Sequence, residues 1–370
     1  MKSRSKHVAK SSKSGIVKGI IASLGLVIII GTVVLVGYLA WKSFLQEDNT
    51  PKVPVKVKIE KGMTASQIGG LLQKKKVIKN SFVFRVAAKK RGVESDFKPG
   101  EYEFTTGMEY NVVIDRLIAG PPITYYDITL PEGWTAKQMA ARIGPVGHIN
   151  ADEYLNIVEQ GLLERDYPFL QNSGAKSKSL EGYLFPDTYR IKKGTTAAQF
   201  VDLQLQQFQK KTEGLDWSKA AAIGRSPYEI IIIASLVERE TKVADERPIV
   251  ASVIYNRLAK GMLLQIDATV QYALPEHKDR LTFDDLKVDS PYNTYKNPGL
   301  PPGPICNPGF ASIQAALNPA TTNYLYYVLA PDNSGRHTFT NSYDEFIKAA
   351  QQYHEAQKNK PPSKTTQPGQ

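Results

Sequence analysis

The sequence predicts a mixed α+β fold behind a single N-terminal transmembrane helix, and three stretches carry that expectation. Residues 19–41 run for 23 positions without a charge, long enough at about 1.5 Å per residue to cross a hydrocarbon layer of roughly 30 Å. A frame of strand, glycine turn and helix then occurs three times, at 59–68 (IEKGMTASQI), 130–139 (LPEGWTAKQM) and 191–200 (IKKGTTAAQF). Residues 226–241 (SPYEIIIIASLVERET) read as a helix that is apolar on nearly every side. Its apolar run is too short to span a bilayer, so it belongs in a protein core.

Taken in order, the first 18 residues carry six lysines and arginines and no acid, which is about half of the net charge of +11. Positive charge beside an apolar span is retained in the cytoplasm, so the sequence predicts residues 1–18 inside, 19–41 as an uncleaved anchor in the cytoplasmic membrane, and 42–370 outside. Tyr38 and Trp41 suit the far interface. A cleaved signal peptide competes with this reading, but the span exceeds the usual apolar region of roughly 7–15 residues. The basic tail has no aromatic residue and the membrane accounts for its charge, so no nucleic-acid partner is expected.

Residues 42–54, with Pro51 and Pro54, read as a polar linker. A small α/β module follows at 55–120, then a second repeat-containing subdomain at 121–205, the region of the core helix at 206–355, and a disordered polar tail at 356–370. In each repeat a threonine stands where it can cap the helix after the glycine turn. The single cysteine, Cys306, excludes an internal disulfide, and the five histidines are scattered without metal-site spacing. Neither a metal nor a cofactor is expected.

The core helix opens with Ser226 as cap, Pro227 at the first position and Glu229 completing a capping box. Near its other end stand Glu238 and Glu240, about 200° apart around the axis, so they cannot share one environment. Glu240 lies over Val237, Leu236 and Ile233 and continues an apolar stripe, whereas Glu238 sits above Ser235 and Ala234. Lost hydration and the negative helix terminus both disfavour charge on Glu240 and raise its pKa. A glutamic acid still protonated near neutrality is what glycosidic cleavage requires. The competing reading is a carboxylate that pairs with Arg239, Lys242 or Arg247.

Downstream, Asp245 can cap a second helix carrying Val250, Val253, Ile254 and Leu258, and Asp267 can cap a third. Gln265 and Asp267 fall on one side of an extended stretch. Residues 291–295 (PYNTY) and 299–305 (GLPPGPI) are ordered-loop sequences offering aromatic faces of the kind that hold sugar rings.

Together the motifs at 234–241 (ASLVERET), 261–267 (GMLLQID), 291–295 (PYNTY), 299–303 (GLPPG), 337–339 (HTF) and 180–189 (LEGYLFPDTY) resemble the endolytic murein transglycosylases of the YceG-like family. The resemblance covers about residues 55–350, with Ala268 and Ile266 departing from the family's usual proline and small hydroxyl residue. The module at 55–120 resembles the LysM-like fold that binds wall glycan, or serves as a spacer. The resemblance implies that Glu240 is the catalytic acid, the second glutamate of the family's Glu-x-Glu-Thr element. The implied reaction cuts the β-1,4 bond between N-acetylmuramic acid and N-acetylglucosamine in nascent strands, leaves a 1,6-anhydro end, and so terminates or trims elongation. Glu238, Gln265, Asp267, Tyr292, Asn293, Tyr295 and His337 are the candidate substrate contacts, each with loop stabilisation as its alternative. The expected partners are peptidoglycan strands and the synthases of an elongation or division complex. A muramidase-type hydrolase using Asp267 or Glu238 as second carboxylate and a non-catalytic wall-binding anchor remain open.

Overall fold

The computed structural model describes residues 25, 27–38, 51–163, 165–171, 174 and 177–358. Residues 27–38 are helical with exposed Val, Ile and Leu side chains, while the rest of the expected anchor at 19–41, apart from residue 25, lies outside the described residues. Among the described residues no helix is long and apolar enough to cross a membrane. The chain folds as two compact units, the first ending at Pro122 and the second beginning at Ile123.

The first unit contains β1 (Pro54–Ile59), α1 (Ala65–Lys74), α2 (Ser81–Arg91), β2 (Gly100–Thr105) and α3 (Tyr110–Ala119). β1 and β2 pair antiparallel from Pro54 opposite Thr105 to Ile59 opposite Gly100. Alternation along the ribbon turns Val57, Ile59, Tyr102 and Phe104 inward, where they meet Ile68, Leu72, Phe84, Ile114 and Leu117 from the helices.

The second unit begins with β3 (Tyr125–Thr129), α4 (Ala136–Gly147), α5 (Ala151–Gln160), the short α6 (Pro168–Gln171), β4 (Thr188–Lys192) and α7 (Ala197–Thr212). Apart from α6 this repeats the order of the first unit, and β3 pairs antiparallel with β4 as β1 does with β2. The three sequence repeats share one local solution. Gly62, Gly133 and Gly194 turn the chain at positive φ of 89°, 77° and 86°, a region that costs glycine nothing. Thr64, Thr135 and Thr196 then cap α1, α4 and α7, each in a capping box closed by Gln67, Gln138 and Gln199.

The chain continues through α8 (Ser218–Ala222), α9 (Pro227–Glu240), α10 (Arg247–Ala259), α11 (Asp267–Ala273), α12 (Phe310–Leu317), β5 (Tyr326–Leu329), β6 (His337–Thr340) and α13 (Tyr343–Lys358). One buried cluster runs from Ile128 to Leu317 and joins the β3–β4 half to α9, which packs on α10, α11 and α12. The boundary expected at 205/206 falls inside α7, whose inward face (Phe200, Val201, Leu205, Phe208) is part of that same core, so the chain has no break there. Residues 356–358, expected in the disordered tail, continue α13; residues 359–370 lie outside the described residues.

Candidate active site

Helix α9 forms as its sequence dictates. Ser226 and Glu229 close a capping box, Pro227 sits in the first turn, and every residue from Ile230 to Val237 is buried. At its far end the two glutamates leave on different sides. Glu238 turns toward α12, where its Oε2 accepts from the Gly309 N–H at 3.1 Å and the Ser312 hydroxyl at 2.7 Å, with Arg247 at 3.9 Å from its other oxygen. Only 8% of that side chain is exposed, and Glu238 binds the first turn of α12 through Oε2.

Glu240 turns toward β5. Its Oε2 accepts the Tyr327 hydroxyl at 2.8 Å. Protein atoms surround the carboxyl while part of the residue still opens to solvent, and this desolvation pushes its pKa to about 7. The Tyr327 hydrogen bond and Arg239 oppose the rise, and the charge of Asp267 adds to it. Among the described residues, no ion pair with Arg239, Lys242 or Arg247 ties Glu240 down.

Two loops complete the surroundings. Thr294 accepts the Gln265 N–H through its carbonyl at 3.1 Å and the Ile266 N–H through its hydroxyl at 3.0 Å, which stitches the 263–267 stretch to the 291–295 turn. Leu264 and Ile266 are buried and Gln265 and Asp267 exposed, the alternation read from sequence. Asp267 departs from expectation in one respect: it is the first residue of α11 rather than its cap, and its carboxylate instead accepts the Tyr295 hydroxyl. Gln265 holds φ of 53°, a rare conformation for a side-chain-bearing residue, at the point where the loop turns its amide outward.

The other candidates divide by burial. Tyr292 is half-buried and packs on Tyr272 with ring centroids 4.8 Å apart. Asn293 is fully buried; its amide donates to the Leu286 and Val288 carbonyls and its oxygen accepts the Tyr295 N–H. It holds the loop and is not available to a ligand. His337 is 7% exposed, with Nδ1 2.8 Å from Glu246 Oε2 and its backbone N–H on Glu246 Oε1 at 2.9 Å. It too is a structural partner, because a buried carboxylate claims both groups. Asp245, expected to cap α10, pairs with Arg336 at 2.9 Å, and α10 opens without a side-chain cap.

Several site-forming residues carry no signal along the chain. Tyr327 has the pattern of an ordinary strand residue. Arg257 donates to the carbonyls of Leu263, Leu264 and Leu325, joining the Asp267 loop to the start of β5. Glu181, in the 180–189 motif, is buried and accepts from the Ala136 N–H and from Asn307, whose own oxygen accepts the N–H groups of Gly182 and Leu184. Desolvation pushes Glu181 to about 7 against those hydrogen bonds. Its proximity to Ala136 and Asn307 has no periodic signature in the chain. A cleft of about 870 Å³ between α6, β4 and α7 is lined by residues such as Arg165, Phe169, Tyr189 and Trp217 and shares no residue with the Glu240 cluster. Among the described residues, no group of three or more His, Cys, Asp or Glu side chains is placed to hold a metal ion.

A carboxyl raised toward neutrality, fixed by a hydroxyl donor and faced by Asp267 and Tyr295, is the arrangement expected of an acid–base enzyme. Residues 57–352 match the model of the YceG-like family, and the chain belongs to that family. An endolytic murein transglycosylase of Bacillus subtilis is 35% identical over 331 residues, which is 85% of this chain and 89% of that protein. One from Streptococcus pneumoniae is 31% identical over 82% of this chain, but the match spans only 59% of the longer streptococcal protein. The crystal structure of a YceG-like protein from Listeria monocytogenes, 34% identical, covers 80% of this chain and 99% of its own with a TM-score of 0.52.

Proposed function

We propose that this protein is an endolytic peptidoglycan transglycosylase that cuts the bond between N-acetylmuramic acid and N-acetylglucosamine and leaves a 1,6-anhydro end. The observation that carries this reading is Glu240: a carboxyl at the end of the apolar helix α9, held near pKa 7, bonded to Tyr327 and faced by Asp267 and Tyr295. In the first step Glu240 gives its proton to the glycosidic oxygen as the C1–O bond breaks. As carboxylate it then takes the proton of the muramyl C6 hydroxyl, whose oxygen bonds to C1. One group serves as acid and then base, and a pKa near neutrality suits both halves. Glutamate ends the cycle protonated and no water is consumed. Asp267, whose charge already acts on Glu240, supports the alternative of a hydrolase with two carboxylates. Mass spectrometry of purified glycan strands digested by the full chain separates them. The expected ends are lighter by one water than hydrolysed ends, and hydrolysed ends alone would overturn the transglycosylase.

The uncharged run at 19–41 and its basic flank support a membrane anchor with residues 42–370 outside. A reporter active only in the cytoplasm should be silent when fused after residue 370, and a signal from it there rules the topology out. The β-α-α-β-α order of the first unit supports a LysM-like glycan-binding module at 55–120. Its deletion, in a chain that stays folded, is expected to slow cleavage of long strands more than of short oligomers; equal rates on both would leave the module a spacer.

A further inference from the structure

We infer that Tyr327 is the positioning residue for Glu240: its hydroxyl, by donating to Oε2, makes Oε1 the oxygen that carries and delivers the transferable proton. This rests on the reading of Glu240 as the acid. A carboxylic acid bears its proton on one oxygen, and an oxygen already accepting an O–H is the poorer place for it. The Tyr327 O–H reaches Oε2 at 2.8 Å, so a protonated Glu240 that keeps this bond presents Oε1. Both the rotation of the carboxyl and the choice of oxygen are then settled before substrate arrives, and such preorganisation is what proton transfer in a fixed geometry needs.

The tyrosine is itself held from several directions. Antiparallel pairing sets Tyr327 opposite Phe339, with His337 two residues along on the same face. The His337 ring meets the Tyr327 ring edge-on, centroids 5.3 Å apart and planes at 84°, and Phe339 lies at 6.0 Å. His337 cannot swing away, because Glu246, only 3% exposed, binds both its Nδ1 and its backbone N–H. Arg257 fixes the strand from the other side through the Leu325 carbonyl at 2.6 Å. Burial keeps the Tyr327 phenol protonated far above neutral pH, so it remains a donor through the cycle. The charged and titratable groups facing Glu240 are Tyr327 from β5, Asp267 from α11, Tyr295 from the 291–295 turn and Arg239 from its own helix.

The test is Tyr327→Phe in the full chain. The ring and its packing stay and the hydroxyl goes. Because that hydrogen bond favours the carboxylate, its loss raises the Glu240 pKa. Activity that requires protonated Glu240 is lost as pH rises through that pKa, so the alkaline limb of the kcat profile should move up by about one pH unit. At the optimum, kcat should fall about tenfold with KM nearly unchanged, as expected when an orientation is lost rather than a substrate contact. Fluorinated tyrosine incorporated at position 327, a stronger donor of the same shape, should move the limb the other way. An activity limb and a Glu240 titration that both stay in place in the two variants overturn the proposal, whether or not kcat falls, because packing alone would leave both unmoved. Carboxyl carbon NMR of Glu240 without substrate separates this from the parent reading. If the Glu240 titration moves in Tyr327→Phe while the activity limb does not, Tyr327 does tune Glu240 and it is the acid assignment that fails.

Discussion

Glu240→Gln is expected to leave a folded, full-length protein that no longer cuts murein strands. The amide has nearly the shape of the acid and keeps an oxygen for the Tyr327 hydroxyl, so packing at the end of α9 is unchanged. What is lost is the proton. Removing a general acid costs about 10² to 10⁴ in rate, or roughly 3 to 5 kcal/mol of barrier. The wild-type rate should fall on the alkaline side as Glu240 deprotonates, near its pKa of about 7, and the residual rate of the variant should lack that limb. Glu238→Gln is the contrasting case. Its carboxylate serves Gly309 and Ser312 at the start of α12 and not the reacting groups, so the effect on rate should be smaller. Rates of anhydro-end formation for the two variants decide the matter: an active Glu240→Gln beside a dead Glu238→Gln would exchange the assignments.

Gly182→Ala is expected to destabilise the second unit by about 3 kcal/mol or more, from two independent costs. Gly182 holds φ of 92°, where a residue with a side chain is strained. A Cβ there would also lie 2.5 Å from Pro304 Cγ and 2.8 Å from Ile231 Cγ2, neither of which is the end of a flexible chain. Moving away would break the Gly182 N–H bond to Asn307 Oδ1 at 2.8 Å, and Asn307 also holds Glu181 and the Trp134 carbonyl. Because Ile231 belongs to α9, the strain reaches the helix that carries Glu240. Gly214→Ala is the control: nothing lies within 4 Å of its added Cβ, and the change should be neutral or stabilising by less than about 1 kcal/mol. Denaturant midpoints of the two variants test this, and equal midpoints would mean that the 180–185 loop yields where its contacts say it cannot.

What could be read along the chain is what local geometry governs. Ser226, Pro227 and Glu229 start α9 because a cap acts within three or four residues, and the Thr-x-x-Gln frame starts three more helices in the same way. A fixed turn of 100° per residue sends Glu238 and Glu240 to different sides; Gln265 and Asp267 are both exposed as the period of two suggested, although Gln265 sits at positive φ and Asp267 opens α11, so no strand produces it. The mixed α+β class follows from the same periodicities. Which polar groups stay exposed, and which are buried against the protein's own groups, depended instead on tertiary packing. Asn293, His337 and Glu238 read like Gln265, Asp267 and Tyr295 along the chain, yet the first three are buried against the Leu286 and Val288 carbonyls, Glu246 and α12. Pairing of β3 with β4 likewise draws the second and third repeats into one core and runs α7 across the expected boundary. The donor to Glu240 comes from a tyrosine 87 residues away. Such a partner has no period in the sequence, because its place is set by how whole elements pack and not by the rise and turn of any one of them.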